Sequence, residues 1–229
     1  LVEKTSLWQR GRWVYFPWNA TLVHILEDEQ FQKVRTARNR NLITEEEQKK
    51  FYHSTIGIAG LSVGNSVALA IVLQGGARHI KLADMDRLVL SNMNRIRTGI
   101  ENLGLLKIEM TARQIYSINP YTEIELFSDG LHQNNIKRFF KGLNVMIDEI
   151  DNLGVKYLIR EQARKYKIPV VMAADNGDNG VVDIERYDKN PNTPFFHNRM
   201  GGVSYNDLAK LNKMGIGRMI AKHIGRENI

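Results

Sequence analysis

Residues 55–95 read TIGIAGLSVGNSVALAIVLQGGARHIKLADMDRLVLSNMNR, and the order of elements in this stretch decides the fold. A short apolar run, Ile56-Gly57-Ile58-Ala59, meets the turn Gly60-Leu61-Ser62-Val63-Gly64-Asn65. A helical stretch from Val67 to Leu73 follows and stops at Gly75-Gly76. A second apolar run, Ile80-Lys81-Leu82-Ala83, then ends on Asp84. Strand, glycine-bearing turn, helix, strand and acid is the layout of a nucleotide-binding βαβ unit. A helix opening at such a turn points free N–H groups and the positive end of its dipole at a phosphate. An acid at the tip of the next strand accepts hydrogen bonds from ribose hydroxyls. Asp84 lies 24 residues after Gly60, close to the spacing of about 20 typical of such units.

Gly60, Ser62 and Gly64 are therefore the candidate phosphate-cradling positions. The turn departs from G-x-G-x-x-G, because Ser62 and Asn65 take two of its glycine places. Ser62 puts a side chain where a dinucleotide pyrophosphate needs close approach to the backbone. On the turn alone, a phosphate cradle and a tight strand-to-helix turn of an ordinary α/β domain are equally good readings.

The segment after Asp84 decides between them. Asp84-Met85-Asp86-Arg87-Leu88-Val89-Leu90-Ser91-Asn92-Met93-Asn94-Arg95 resembles the D-x-D-x-V-x-x-S-N-x-x-R signature of the ThiF/MoeB family, adenylating enzymes related to ubiquitin-activating enzymes. The resemblance continues through Lys107, Asn119-Pro120 and Asp148-Glu149-Ile150-Asp151-Asn152, which resembles the family's D-x-x-D-N. Arg40-Asn41-Leu42-Ile43 resembles its N-terminal R-Q-I-L. In all, it covers roughly residues 35–190 and looks nearest to a bacterial subgroup in which a G-L-S-V-G module is fused to a nitroreductase-like domain. It implies ATP and Mg²⁺ as cofactors and, as substrate, the C-terminal carboxylate of a small ubiquitin-like protein or a comparable acyl group. It also implies that Asn92, Arg95 and Lys107 contact ATP. Arg40 is expected to reach the phosphates from the neighbouring subunit of a homodimer.

Composition bounds the rest. The 229 residues, 43% of them hydrophobic, suffice for a sizeable core. No apolar run approaches the ~18 residues of a membrane span, and residues 1–11 do not form a signal peptide, so a cytoplasmic location without membrane contact is expected. The initial Leu suggests a chain that starts inside a longer one. There is no cysteine, which excludes a disulfide, a thiolate zinc site and a thioester intermediate. Family relatives often carry such cysteines; here an activated acyl group would leave as the adenylate or pass to a cysteine elsewhere. The net charge of +7 is concentrated after residue 190. A basic tail could meet nucleic acid or an acidic partner, but no nucleic-acid module is legible and a solvated helical face is the expectation.

Taken in order, residues 1–43 read as an N-terminal extension with strands at Trp13–Phe16 and Thr21–Leu26 and a helix from Glu27. Trp8, Trp13 and Trp18 are expected to pack rather than to cage a ligand. Thr44-Glu45-Glu46-Glu47 is a capping box that opens a helix to about His53. By the same resemblance, residues 44–190 are expected to form the adenylation domain. Beyond the βαβ unit they hold helices at Lys107–Ile118, Asn134–Lys141 and Val155–Tyr166. Further strands are expected at Ile124–Phe127, Asn144–Ile147, Ile168–Ala173 and Val181–Tyr187. Residues 191–229 are a basic segment expected to lead into a further domain. This alternation predicts an α/β fold with a doubly wound, mostly parallel Rossmann-like sheet. The loop Asp175–Gly180 mimics a calcium loop but has Gly177 and Arg186 where ligands belong, and reads as a turn.

Ligands of such a sheet lie beyond the carboxyl ends of the strands. Asp84 would hold ribose there. Asp151 is placed to hold Mg²⁺ as a hard carboxylate ligand, and Arg95 and Lys107 bring two cations to a triphosphate. Asp86, the second acid of D-x-D, is expected to shape the turn. The competing readings are an NAD- or FAD-binding oxidoreductase domain, which leaves Arg95, Lys107 and Asp151 unexplained, and a scaffold that has kept the fold without the chemistry.

Overall fold

The computed structural model describes residues 10–176, 179–201, 205–208, 211, 214–215 and 217–219. An N-terminal hairpin, β1 (Arg12–Phe16) and β2 (Thr21–Ile25), is followed by α1 (Asp28–Arg35), a 3-10 turn (Ala37–Asn41) and α2 (Glu45–Tyr52). The main body is β3 (Thr55–Ala59), α3 (Val63–Leu73), β4 (His79–Ala83), α4 (Lys107–Ile118), β5 (Glu123–Phe127), α5 (Ile136–Phe140), β6 (Val145–Asp148), α6 (Leu153–Tyr166), β7 (Val170–Asn176) and β8 (Asn179–Glu185), with a short α7 at Tyr205–Leu208. Six strands make one sheet in the order β5-β4-β3-β6-β7-β8, all parallel except β8, which runs antiparallel to β7.

Register explains how the sheet makes a site. Ala59 pairs with Ala83 on one side and with Asp148 on the other. The residues that follow, Gly60, Asp84 and Glu149, therefore emerge level with one another at the carboxyl edge. The chain runs outward from β3 to β5 and then returns past β3 to β6, so the topological switch point lies between β3 and β6.

Both faces of the sheet are covered, as continuous apolar strands require. One core joins Ile56, Ile58, Ile80 and Leu82 to Val72 of α3 and Ile108, Ala112 and Ile115 of α4. The other joins Phe127, Met146 and Val170 to Phe139 and Phe140 of α5 and Leu158, Ile159 and Ala163 of α6. The capping box forms as expected: Glu47 N–H donates to Thr44 Oγ1 at 3.2 Å and Thr44 N–H to Glu47 Oε2 at 2.8 Å. Gly75 ends α3 in the left-handed region, at φ 81°.

Helix α3 starts at Val63, four residues before the sequence expectation of Val67. Gly64, Asn65 and Ser66 are poor helix formers, but Asn65 Nδ2 donates to Thr111 Oγ1 at 2.9 Å and to Gln114 Oε1 at 2.7 Å, so packing against α4 overrides propensity. Among the tryptophans, Trp18 packs on Phe16. Trp13 does not enter a core: it is 60% exposed and stacked on His24. Trp8 lies outside the described residues, as do Gly177, Asp178 and most of the basic tail. Among the described residues no helix is long and apolar enough to cross a membrane.

Beneath the carboxyl edge lies a buried ion network. Arg160 of α6, with no exposed surface, pairs with Asp148 at the end of β6 and, through Nε at 2.7 Å, with Glu185 at the end of β8. Glu185 Oε1 accepts from Tyr187 OH at 2.6 Å and from the Phe196 amide at 2.8 Å, which fastens the segment after β8. Removing one partner of a buried pair leaves an uncompensated charge. Arg160→Ala is therefore expected to lower stability by about 3–5 kcal/mol. Arg113→Ala, which breaks the surface i,i+4 pair with Glu109, should cost no more than about 0.5 kcal/mol. Urea unfolding of the two variants checks the contrast.

Candidate nucleotide site

Gly60 stands at φ 85°, and a Cβ there would collide with the Glu149 carbonyl and the Ile150 amide. Only glycine allows the turn after β3 to lie this close to the loop after β6. Asp84 braces the same turn. Its Oδ2 accepts from Leu61 N–H at 2.6 Å and its Oδ1 from Asp86 N–H at 2.8 Å. Burial raises the Asp84 carboxyl, against the lowering effect of those two amides and of Lys107. Both oxygens thus already hold backbone, and a ribose hydroxyl would use the lone pairs that remain.

The predicted cations converge on this edge, each with a local partner. Arg95 is exposed, and its Nε donates to Ser62 Oγ at 2.8 Å, so the side chain at the supposed glycine position serves as a rest for the guanidinium. Lys107 is buried and its Nζ donates to Asp86 Oδ2 at 2.9 Å. Asp86 therefore positions Lys107 as well as shaping the turn. Asn92 is buried and accepts from the Val89 amide at 3.2 Å. Gly64 lies in the first turn of α3 against Ile58 and Glu149. Asp151 follows β6 by three residues; it is exposed and makes no hydrogen bond or ion pair among the described residues. A hard cation commonly binds through one or two carboxylates plus phosphate oxygens, and an unengaged carboxylate beside the switch point fits that need.

Arg40 does not join them. The neighbouring Asn39 donates to the carbonyl of Gln74, at the far end of α3. Arg40 itself lines a cavity of about 620 Å³ with Asp28, Thr44, Tyr52, Arg78 and His79. His79 opens β4, so this cavity is at the amino ends of the strands. Within one chain, nine of the ten candidate residues gather at the carboxyl edge and Arg40 is at the opposite end of the sheet.

One residue at the site escaped the sequence reading. Glu149 N–H donates to Ala59 O at 2.8 Å, and its side chain reaches across to accept from Ala173 N–H of β7 at 3.0 Å. Burial pushes its carboxyl up to about 7, and neighbouring Asp148 adds to this while Lys156 opposes it. Burial also pulls Asp148 upward, but Lys156 and Arg160 outweigh that and hold it below the usual carboxylate range. The available signal was the unbroken pair of acids Asp148-Glu149 at the end of an apolar strand.

The Glu149 shift has a thermodynamic consequence. Its carboxyl titrates near 7 in the folded chain and at the ordinary value of 4.5 when unfolded. Between those values the folded state holds the extra proton, so stability falls as pH rises through the window. Glu149→Gln is expected to be more stable than the parent at pH 8 and to match it near pH 4.5. Thermal melts with a chelator present, so that no metal intervenes, check the crossover.

A model of the ThiF family matches residues 36–210. An uncharacterized protein, MT1398, of Mycobacterium tuberculosis is 39% identical over 200 residues, which are 87% of this chain and 28% of that protein. The molybdopterin-synthase adenylyltransferase of Haemophilus influenzae is 25% identical over 170 residues, 74% of this chain and 65% of the relative. The chain thus spans less than two thirds of the length of either. Among solved structures, the Escherichia coli tRNA N6-threonylcarbamoyladenosine dehydratase in complex with ATP superposes with a TM-score of 0.61 at 28% identity, over 68% of this chain and 64% of that one. With its six-stranded, mostly parallel sheet and a family match across three quarters of its length, the chain belongs to the ThiF family.

Proposed function

We propose that the chain is an ATP-dependent adenylyltransferase that activates the C-terminal carboxylate of a small ubiquitin-like protein or a comparable acyl substrate. The observation that carries this reading is the convergence at one switch point of the Gly60 turn, the Ser62–Arg95 and Asp86–Lys107 pairs and the unengaged Asp151. An adenylyltransferase among its relatives and an ATP complex of a structural neighbour support it. A dinucleotide-dependent oxidoreductase would use Asp84 but would leave Arg95, Lys107 and Asp151 without a task.

In the proposed reaction a substrate carboxylate oxygen attacks the α-phosphorus. The bond from that phosphorus to the oxygen bridging to the β-phosphate breaks, and pyrophosphate leaves with the electron pair. The chain's own contribution is positioning and charge. Gly60, whose own N–H is bonded to the Ala83 carbonyl, supplies the backbone turn. The N–H groups of Ser62 and Gly64 would donate to phosphate oxygens, Asp84 and Asn92 orient the nucleoside, and Arg95 and Lys107 stabilise the growing negative charge. Asp151 would hold Mg²⁺, which when bound neutralises phosphate charge. With no cysteine in the chain, the product is the free acyl adenylate or a thioester formed on another segment or protein. We further propose that this module is joined to a nitroreductase-like domain; the length of the mycobacterial relative, of which the chain spans 28%, leaves room for one.

ATP–pyrophosphate exchange with candidate tail peptides tests the proposal. Activity that Asp151→Ala abolishes without loss of fold is expected, whereas NAD binding without ATP binding would overturn the reading.

A homodimer with Arg40 acting in trans completes the proposal. Its support is that Arg40 stands at the amino ends of the strands, away from the carboxyl edge of its own chain. Mixing inactive Arg40→Ala with inactive Asp151→Ala and letting subunits exchange should restore activity, since each mixed dimer then holds one intact site. A mixture that stays inactive after proven exchange, or an active Arg40→Ala, removes Arg40 from this role.

A further inference from the structure

The backbone pairing of β6 with β7 stops at Ile147↔Val171. β6 ends one residue later, at Asp148, while β7 continues to Asn176, and the N–H of Ala173 on the side towards β6 bonds no backbone carbonyl there. The Glu149 carboxylate takes that place, accepting from Ala173 at 3.0 Å. Glu149 is also where the loop after β6 meets the glycine turn. Its amide is bonded to Ala59 O at 2.8 Å, its carbonyl lies where a Gly60 Cβ would be, and its Cβ and Cγ lie 3.7 Å from the Cβ position of Gly64. The next amide, of Ile150, donates to Asp148 Oδ1 at 3.3 Å. Asp148 itself is immobilised by Arg160 and Lys156. The peptide between Glu149 and Ile150 is thus tied to β3 by backbone and to the core by Asp148. Among the described residues its tie to β7 is the Glu149 side chain.

We infer that Glu149 is a positioning residue of the nucleotide site: by bridging the end of β6 to β7 it anchors the Glu149–Ile150 peptide from the side away from Gly60 and holds it in place beside the glycine turn, and so fixes that turn and the Asp151 loop relative to each other. This rests on the nucleotide reading above. Ligands of open α/β sheets bind beyond the carboxyl ends of the strands at the switch point, here between β3 and β6, where the Glu149–Ile150 peptide meets the Gly60 turn. A crevice built from a turn and a loop needs a fixed width if several N–H groups are to meet phosphate oxygens together. Among the described residues no side chain of the glycine turn is hydrogen-bonded to that loop; Ser62 and Asn65 bond Arg95 and α4 instead. Glu149 supplies that link from the opposite wall, through the hydrogen bond that its carboxyl oxygen accepts from the Ala173 amide.

The test uses the whole chain with Glu149→Ala and Glu149→Gln, the latter keeping an oxygen that can accept from Ala173. Hydrogen exchange is measured without ligand, and ATP binding by calorimetry with Mg²⁺. Glu149→Ala is expected to exchange at least tenfold faster over residues 60–64 and 149–153, with helix 107–118 unchanged, and to bind ATP at least tenfold more weakly. Glu149→Gln should stay within threefold of the parent in both. Unchanged exchange in Glu149→Ala overturns the inference, and so does a Glu149→Gln as loose as the alanine variant, which would make charge rather than the bridge decisive. If Glu149→Ala loses its fold, Glu149→Asp, one methylene too short to reach Ala173, carries the same comparison. A parent chain that binds no ATP defeats the nucleotide reading, while the exchange data still decide whether Glu149 holds the turn.

Discussion

A guanidinium sealed from water must find negative charge within the protein, and for Arg160 that requirement joins parts of the chain that share no backbone pairing. Asp148 ends β6 and Glu185 ends β8, with β7 lying between them. Arg160 spans β7 on one face of the sheet, passing Met172 at 3.9 Å, and lies 4.1 Å from the centre of the Phe196 ring. Desolvating three charges costs several kcal/mol, and the arrangement persists only because each is hydrogen-bonded in turn. Its consequence is geometric. The strand that carries the candidate chemistry is anchored to the edge strand and to the segment beyond it.

That anchorage settles which carboxylates remain for ligands. Asp148, although it opens the D-E-I-D-N run, is committed to the core. Glu149 spans to β7, and Asp84 is engaged by two amides. Among the described residues, Asp151 alone of these four has its oxygens unengaged, which is the state a metal-binding carboxylate requires. The cations show the same economy. Lys107 leans on Asp86 and Arg95 on Ser62, so each has a local partner, and a bound polyanion would cost less side-chain entropy than with unpartnered cations.

Much of the fold was legible because it depends on local pattern. The runs Ile56–Ala59 and Ile80–Ala83, the Thr44 capping box and the Asn119-Pro120 stop each act within a few residues, and their elements appear where expected. Helix α3 begins early because Asn65 finds partners on α4, a contact that no local rule encodes. Trp13 remains exposed because its hairpin buries none of its residues, and hydrophobicity alone does not say against what a residue will pack.

For the site, the sequence by itself determined the inventory: a glycine turn after one strand, acids after two others, and two basic residues, at spacings that a parallel sheet brings to a single edge. What it could not settle was which of those groups are occupied. Whether Ser62 stands clear or supports Arg95, whether Asp84 is free, and where the Glu149 side chain is bound depend on contacts between residues 23 to 33 positions apart. Arg40 shows the same limit at larger scale, since its place in the sequence resembles a site residue and the packing of α1 and α2 sets it at the far end of the sheet. Periodicity and turn chemistry are local and can be read along the chain; the pairing of charges is decided by strand order and register, which exist only in the folded sheet.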